Sequence, residues 1–143
     1  MAIARLGQQL YLVDDQGFII DEFGPEYREF DLPIVDGLVR SSVAAGSQLE
    51  PAGVRAAGRF LEALRAKPGL RRRVSQIDVT DPRDMVVLLD DDGALLHVGD
   101  TRFVDRLTNY LQIAPTIKGQ MKALDFVDLR YDEHVYVRPR GGE

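Results

Sequence analysis

The chain contains no cysteine. Disulfides, thiolate nucleophiles and zinc–thiolate sites are excluded at once, and cysteine usage carries no reading of redox compartment. Only two histidines occur, His97 and His134, too few for the usual three-ligand zinc site without borrowed carboxylates. No apolar run approaches the roughly 18 residues needed to cross a bilayer. Met1-Ala2-Ile3-Ala4-Arg5 also lacks the long apolar segment of a signal peptide. The sequence as it stands is therefore expected to have no export signal or anchor of its own. A surplus of positive charge is missing too: 18 Lys and Arg stand against 23 Asp and Glu, a net charge of −5. That balance argues against nucleic acid as the main partner.

What is present is a chain of 143 residues, 45% hydrophobic and 29% charged, long enough and apolar enough for one domain with a real core. No linker or low-complexity stretch divides it, so residues 1–143 are expected to form a single domain. Gln9 to Val13 reads as a strand, Asp14-Asp15-Gln16-Gly17 as a turn, and Phe18 to Ile20 as the returning strand. The plan repeats with Met85 to Leu89, Asp90-Asp91-Asp92-Gly93 and Ala94 to Val98. Asp and Gly between apolar runs signal a hairpin, because glycine accepts positive φ without steric cost. Ile3 to Arg5 makes a short leading strand broken by Gly7, and Leu32 to Val35 a short extended piece in an otherwise loop-rich stretch from Asp21 to Ser47.

Two helices are expected. In the first, Pro51 to Ala66, the residues Val54, Ala57, Leu61 and Leu64 form one apolar stripe, and Lys67-Pro68-Gly69 is the stop. Val74 to Thr80 is extended. The second helix opens at Asp100 or Thr101, with Phe103, Leu107, Tyr110 and Leu111 on one side and Arg102, Asp105, Arg106 and Asn109 facing away. Pro115 is expected to end or kink it. The chain closes on Asp125 to Tyr131, in which Val127, Leu129 and Tyr131 alternate with Asp128 and Arg130, followed by a short turn and Val135 to Arg138. These elements predict an α+β fold: one twisted, largely antiparallel sheet with two helices packed on one face.

Chemistry-bearing candidates mostly have plainer readings. Asp14-Asp15 and Asp90-Asp91-Asp92 lack the spaced D-x-D-x-D-G loop of a calcium site, and acidic side chains serve tight turns. Arg71-Arg72-Arg73 could meet phosphate, but three charges in an acidic chain read as a solvated linker. No nucleophile elbow and no phosphate-binding loop occurs, so neither catalysis nor a cofactor is expected. There remains the terminal hairpin. The chain ends six residues beyond Val137, so its last strand is expected to lie open at the sheet edge, where a foreign strand can pair. Tyr131, Tyr136 and Arg130 then read either as sheet packing, with Arg130 paired to Asp128 or to a neighbouring strand, or as anchors around an incoming strand.

At these residues the sequence resembles the FtsQ/DivIB family of bacterial cell-division proteins, specifically their distal β domain. Val127-Asp128-Leu129-Arg130-Tyr131 is similar to the family's most distinctive segment, just before its terminal strand. Leu12-Val13-Asp14 with Gly17, Leu32-Pro33 with Gly37, Leu88 to Gly93 with Leu96 to Gly99, and Arg106-Leu107 with Tyr110-Leu111 resemble further family elements in the expected order. The turn Asp132-Glu133-His134 departs from the glycine the family often carries there, and the final strand lacks a tryptophan.

The resemblance implies an excised domain, with Met1 not native to it, from a protein that also has a membrane helix and a small POTRA domain. It implies a non-enzymatic divisome scaffold on the periplasmic side of the cytoplasmic membrane, reaching the membrane only through the anchor this chain lacks. The partners implied are of the FtsB/FtsL type, with FtsB adding a strand to the terminal edge. The implied contact region holds Arg130, Tyr131 and the run Val135, Tyr136 and Val137, with Arg83 at the position of a family arginine that meets an acidic partner residue. From a different class, a small-ligand or regulatory sensor would use the concave face of the sheet and leave the terminal hairpin purely structural.

Overall fold

The computed structural model describes residues 1–27, 31–40, 48–90, 92–120, 124–131 and 134–139. Nine strands form one sheet: β1 (Ala2–Leu6), β2 (Gln9–Val13), β3 (Ile19–Glu22), β4 (Ile34–Asp36), β5 (Val74–Asp78), β6 (Met85–Leu89), β7 (Leu95–Gly99), β8 (Leu124–Asp128) and β9 (Tyr136–Pro139). Their spatial order is β3-β2-β1-β4-β5-β6-β7-β8-β9. Three helices accompany them: α1 (Pro51–Leu64), α2 (Pro68–Arg73) and α3 (Phe103–Gln120). The class is α+β as expected, with a mixed sheet. The β1–β4, β4–β5 and β7–β8 pairs are parallel and the other five antiparallel.

The parallel joins explain where the helices lie. A parallel pair needs a crossover, and the β4–β5 and β7–β8 crossovers carry α1–α2 and α3 respectively. β4, β5, β7 and β8 run in one direction and both crossovers step the same way across the sheet. Right-handed connections then place both helices on the same face. There they meet, with the Phe60 ring of α1 5.0 Å from the Phe103 ring of α3. Beneath them the register lines up Ala4, Val35, Ile77, Val87, Leu96 and Val127 side by side, all at 0% exposure. Half-buried Val137 of β9 extends the row. The opposite face carries none of these three helices, and its neighbouring register row reads Asp36, Asp78, Val86, His97, Asp128 and Tyr136.

Both Asp-rich turns act as turns, and the second does more. Asp14 Oδ1 accepts from the backbone N–H groups of Gln16 and Phe18, each at 2.9 Å. Asp92 Oδ1 accepts from the Ala94 N–H at 3.0 Å, while its Oδ2 accepts from the Tyr110 hydroxyl at 2.6 Å and Lys118 Nζ at 2.9 Å. Burial alone would raise the Asp92 carboxyl, but these donors outweigh it and hold the group below its ordinary value. Asp91 lies outside the described residues.

Four expectations need correction. Arg71-Arg72-Arg73 is no linker: it is the last turn of α2, which Pro68 opens in the first-turn position where a missing N–H costs nothing. α3 begins at Phe103, later than expected, after Arg102 with φ of 55°. It also runs through Pro115 to Gln120. The lost backbone bond there is offset by tertiary anchors on either side of the proline, Tyr110 and Lys118, both bound to Asp92. Finally, Arg106 does not face away but turns back onto the sheet.

Gly37 ends β4 with φ of 89°, and a Cβ there would collide with the Thr80 backbone nitrogen. Gly58, in the middle of α1, has open space where a Cβ would go. Gly37→Ala should therefore lower stability by about 1–3 kcal/mol, whereas Gly58→Ala should raise it by about 0.4–1 kcal/mol. Urea unfolding midpoints of the two variants check both signs.

A candidate partner-binding corner at the end of the sheet

β9 ends the sheet. It pairs antiparallel with β8 through Phe126↔Arg138, Val127↔Val137 and Asp128↔Tyr136, and its other flank carries no strand among the described residues. Val135 and Val137, two of the expected site residues, are half-buried and pack against the core, so their side chains seat the strand. Tyr136 points the other way and is 54% exposed. The alternation put Tyr131 on one face with Val127 and Leu129. The regular strand stops at Asp128, the alternation lapses with it, and Tyr131 is 51% exposed. The two tyrosines stand edge to face, ring centroids 5.5 Å apart, as an uncovered aromatic pair at the sheet margin.

Arg130 is held beside them. Its Nε donates to Asp128 Oδ1 at 2.9 Å and its Nη2 to Asp128 Oδ2 at 2.6 Å, a bidentate fork. Its guanidinium carbon lies 5.9 Å from the Tyr131 ring centre. The sequence reading of Arg130 as an Asp128 partner therefore holds, and it does not conflict with an exposed position at the corner. Hydrogen bonding from the Arg130 side chain holds the Asp128 carboxyl below its ordinary value, although burial opposes it. Reciprocally, the Asp128 side chain raises the arginine.

Two side chains that the sequence reading missed brace this corner. Asp84, just before β6, accepts from His97 Nδ1 at 2.9 Å and the Gly99 N–H at 3.3 Å, and pairs with Arg130 Nη1 at 3.4 Å. Arg106 of α3 donates to the Val98 carbonyl at 2.6 Å and the Arg130 carbonyl at 3.0 Å. The corner is gripped from both faces of the sheet. No local pattern marks Asp84 in the sequence, because its partners come from β7 and beyond β8. Arg83 precedes Asp84, is exposed, and makes no ion pair among the described residues. His97 is engaged by Asp84 and stands edge-on to Phe126 at 5.1 Å, while Arg138 covers the Phe126 ring at 5.1 Å and pairs with Asp125.

Hollows exist elsewhere. One of about 220 Å³ lies on the open face between Asp36, Gln76, Asp78, Val86, Leu88, Leu95 and His97. A larger one of about 480 Å³ lies against α1, lined by Val54 and Leu61 of that helix and by Val13, Val35 and Leu49, with Arg65 and Arg71 also in its lining. No group of three or more metal-ligating side chains occurs among the described residues, and no described helix is long and apolar enough to cross a membrane.

A sheet with helices on one face, closing on a hairpin that carries Val-Asp-Leu-Arg-Tyr, is the α+β architecture that the order of elements predicted. Residues 2–130 match the family described as "Cell division protein FtsQ/DivIB, C-terminal". The chain belongs to the FtsQ/DivIB family of cell-division proteins. Among individual relatives, it is 29% identical over 147 aligned residues to the cell division protein FtsQ of Koribacter versatilis. That alignment takes in 97% of this chain and 40% of the relative, so the chain spans about two fifths of the relative's length.

The Asp128–Arg130 fork has a pH consequence. A carboxyl held low in the folded state contributes stability above its ordinary pKa of about 4, and that contribution is lost as pH falls through the lower folded value. Asp128→Asn should be less stable than the wild type at pH 7, and the gap should narrow below about pH 4. Urea midpoints between pH 7 and pH 3 test this, and a constant gap would show that Arg130 does not stabilise the charge.

Proposed function

We propose that residues 1–143 act as one non-enzymatic scaffold domain in bacterial cell division, recruiting a partner of the FtsB/FtsL type by strand addition to β9. The domain works on the extracytoplasmic side of the cytoplasmic membrane at the division site, tethered through a segment outside this chain. The observation that carries the reading is the flank of β9 that pairs with no strand among the described residues, bordered by the exposed Tyr131–Tyr136 pair. The same feature favours the scaffold over a sensor working through the sheet face, because a purely structural hairpin has no need of two half-exposed tyrosines at its margin.

Energetics decide what the partner must contact. Pro139 has no backbone donor, which limits pairing to about four residues, each bond contributing roughly 0.5–1.5 kcal/mol net. Association alone costs about 4–15 kcal/mol. Backbone pairing is insufficient, so apolar burial of Tyr131 and Tyr136 supplies the difference, and aromatic residues at a margin are the usual binding anchors. Arg130 and Arg83 add charge recognition for an acidic partner segment. His97 serves the fold through Asp84 and Phe126 and is assigned no catalytic role.

Tyr131→Ala and Tyr136→Ala should each weaken binding about tenfold or more, with thermal stability little changed because both rings already face solvent. The measurement is a fluorescence titration with the C-terminal segment of an FtsB-type protein, paired with thermal unfolding. Wild-type affinity in both variants would remove the tyrosines as anchors, and no binding to the unmodified chain would sink strand addition itself.

A further inference from the structure

We propose that Asp84 is a positioning residue for this corner, fixing Arg130 beside the Tyr131 ring before any partner arrives; the inference rests on the strand-addition reading. Its carboxylate is fully engaged. Oδ1 accepts from the Gly99 N–H, and Oδ2 serves both His97 Nδ1 and Arg130 Nη1. The side chain is only 18% exposed, so it works in surroundings where charge-assisted bonds are strong.

The consequence for Arg130 is geometric. Asp128 takes Nε and Nη2 and Asp84 takes Nη1, so each guanidinium nitrogen faces a carboxylate oxygen. A long side chain that would otherwise sample many rotamers is thereby fixed, with its guanidinium beside the Tyr131 ring. Asp84 also follows Arg83 directly and precedes Met85, which is fully buried. The loop bearing one arginine is therefore tied to the segment bearing the other. The Arg130 guanidinium is thereby set in place, and a partner that meets it need not order it on binding.

The test is a double-mutant cycle, read by fluorescence titration with the C-terminal segment of an FtsB-type protein. Asp84→Asn should weaken binding roughly 3- to 10-fold, the loss expected when a preorganised side chain must be ordered on association. Asp84→Asn/Arg130→Ala should bind no more weakly than Arg130→Ala alone, because Asp84 acts through Arg130. Independently of any partner, the Arg130 Nη1 protons should exchange slowly in the wild type and faster in Asp84→Asn, with the Nε–H held by Asp128 as the internal control. Asp84→Ser, which retains an acceptor for the Gly99 N–H, is measured alongside so that misfolding of one variant does not decide the matter. Equal binding by the wild type and the folded Asp84 variants, or a fully additive loss in the double variant, would overturn the positioning role while leaving strand addition intact. A segment that binds none of the proteins, wild type included, would overturn both.

Discussion

The molecule rests on one register-locked row of side chains. Ala4, Val35, Ile77, Val87, Leu96 and Val127 come from six strands, stand side by side and exclude water completely beneath α1 and α3. A slip of one residue in any of these strands would turn its whole apolar set outward and replace it with the opposite row, where Asp36, Asp78, His97 and Asp128 stand. Correct register is thus enforced from both faces, by burial on one side and by the penalty of burying charge on the other. Val137 carries the row into β9, so the strand that ends the sheet is aligned by the same rule as the strands at its centre.

That alignment divides the work within β9. Its inward valines commit the strand to the core, and its outward Tyr136 joins Tyr131 on the surface. The polar side chains around it fit the same division. Asp84 and Asp128 hold Arg130 from the open face, and Arg106 holds its carbonyl from the helical face. The corner is a rigid ledge, made so by ionic contacts that no single strand could supply. Membership of a cell-division family gives such a ledge a biological setting.

Much of this was legible in the sequence, and the exceptions share a cause. The hairpins around Asp14 and Asp92, the helix beginning at Pro51 and the closing Asp125–Arg138 hairpin follow from local periodicity and turn chemistry, which act within a few residues. So does the Asp128–Arg130 pair, two residues apart. What escaped depends on distance. α3 persists through Pro115 because Asp92 anchors it from another element, and Arg106 turns inward because carbonyls at Val98 and Arg130 await it. Asp84 gave no signal because its three donors lie far along the chain, in β7 and beyond β8. Tyr131 was misassigned for the opposite reason: an alternation was carried beyond the last residue that the ladder constrains.

The three parallel joins also set a schedule for assembly. Hairpins such as β1–β2, β5–β6 and β8–β9 close within microseconds from neighbouring chain, whereas β7–β8 must wait for α3 to form and fold back. The closing hairpin is consequently among the late arrivals, and a single parallel seam to β7 joins it to the other strands. A segment that docks on β9 would add a second seam to a hairpin that reaches the sheet late, so it would bear on the completion of folding while the corner's side chains are already set.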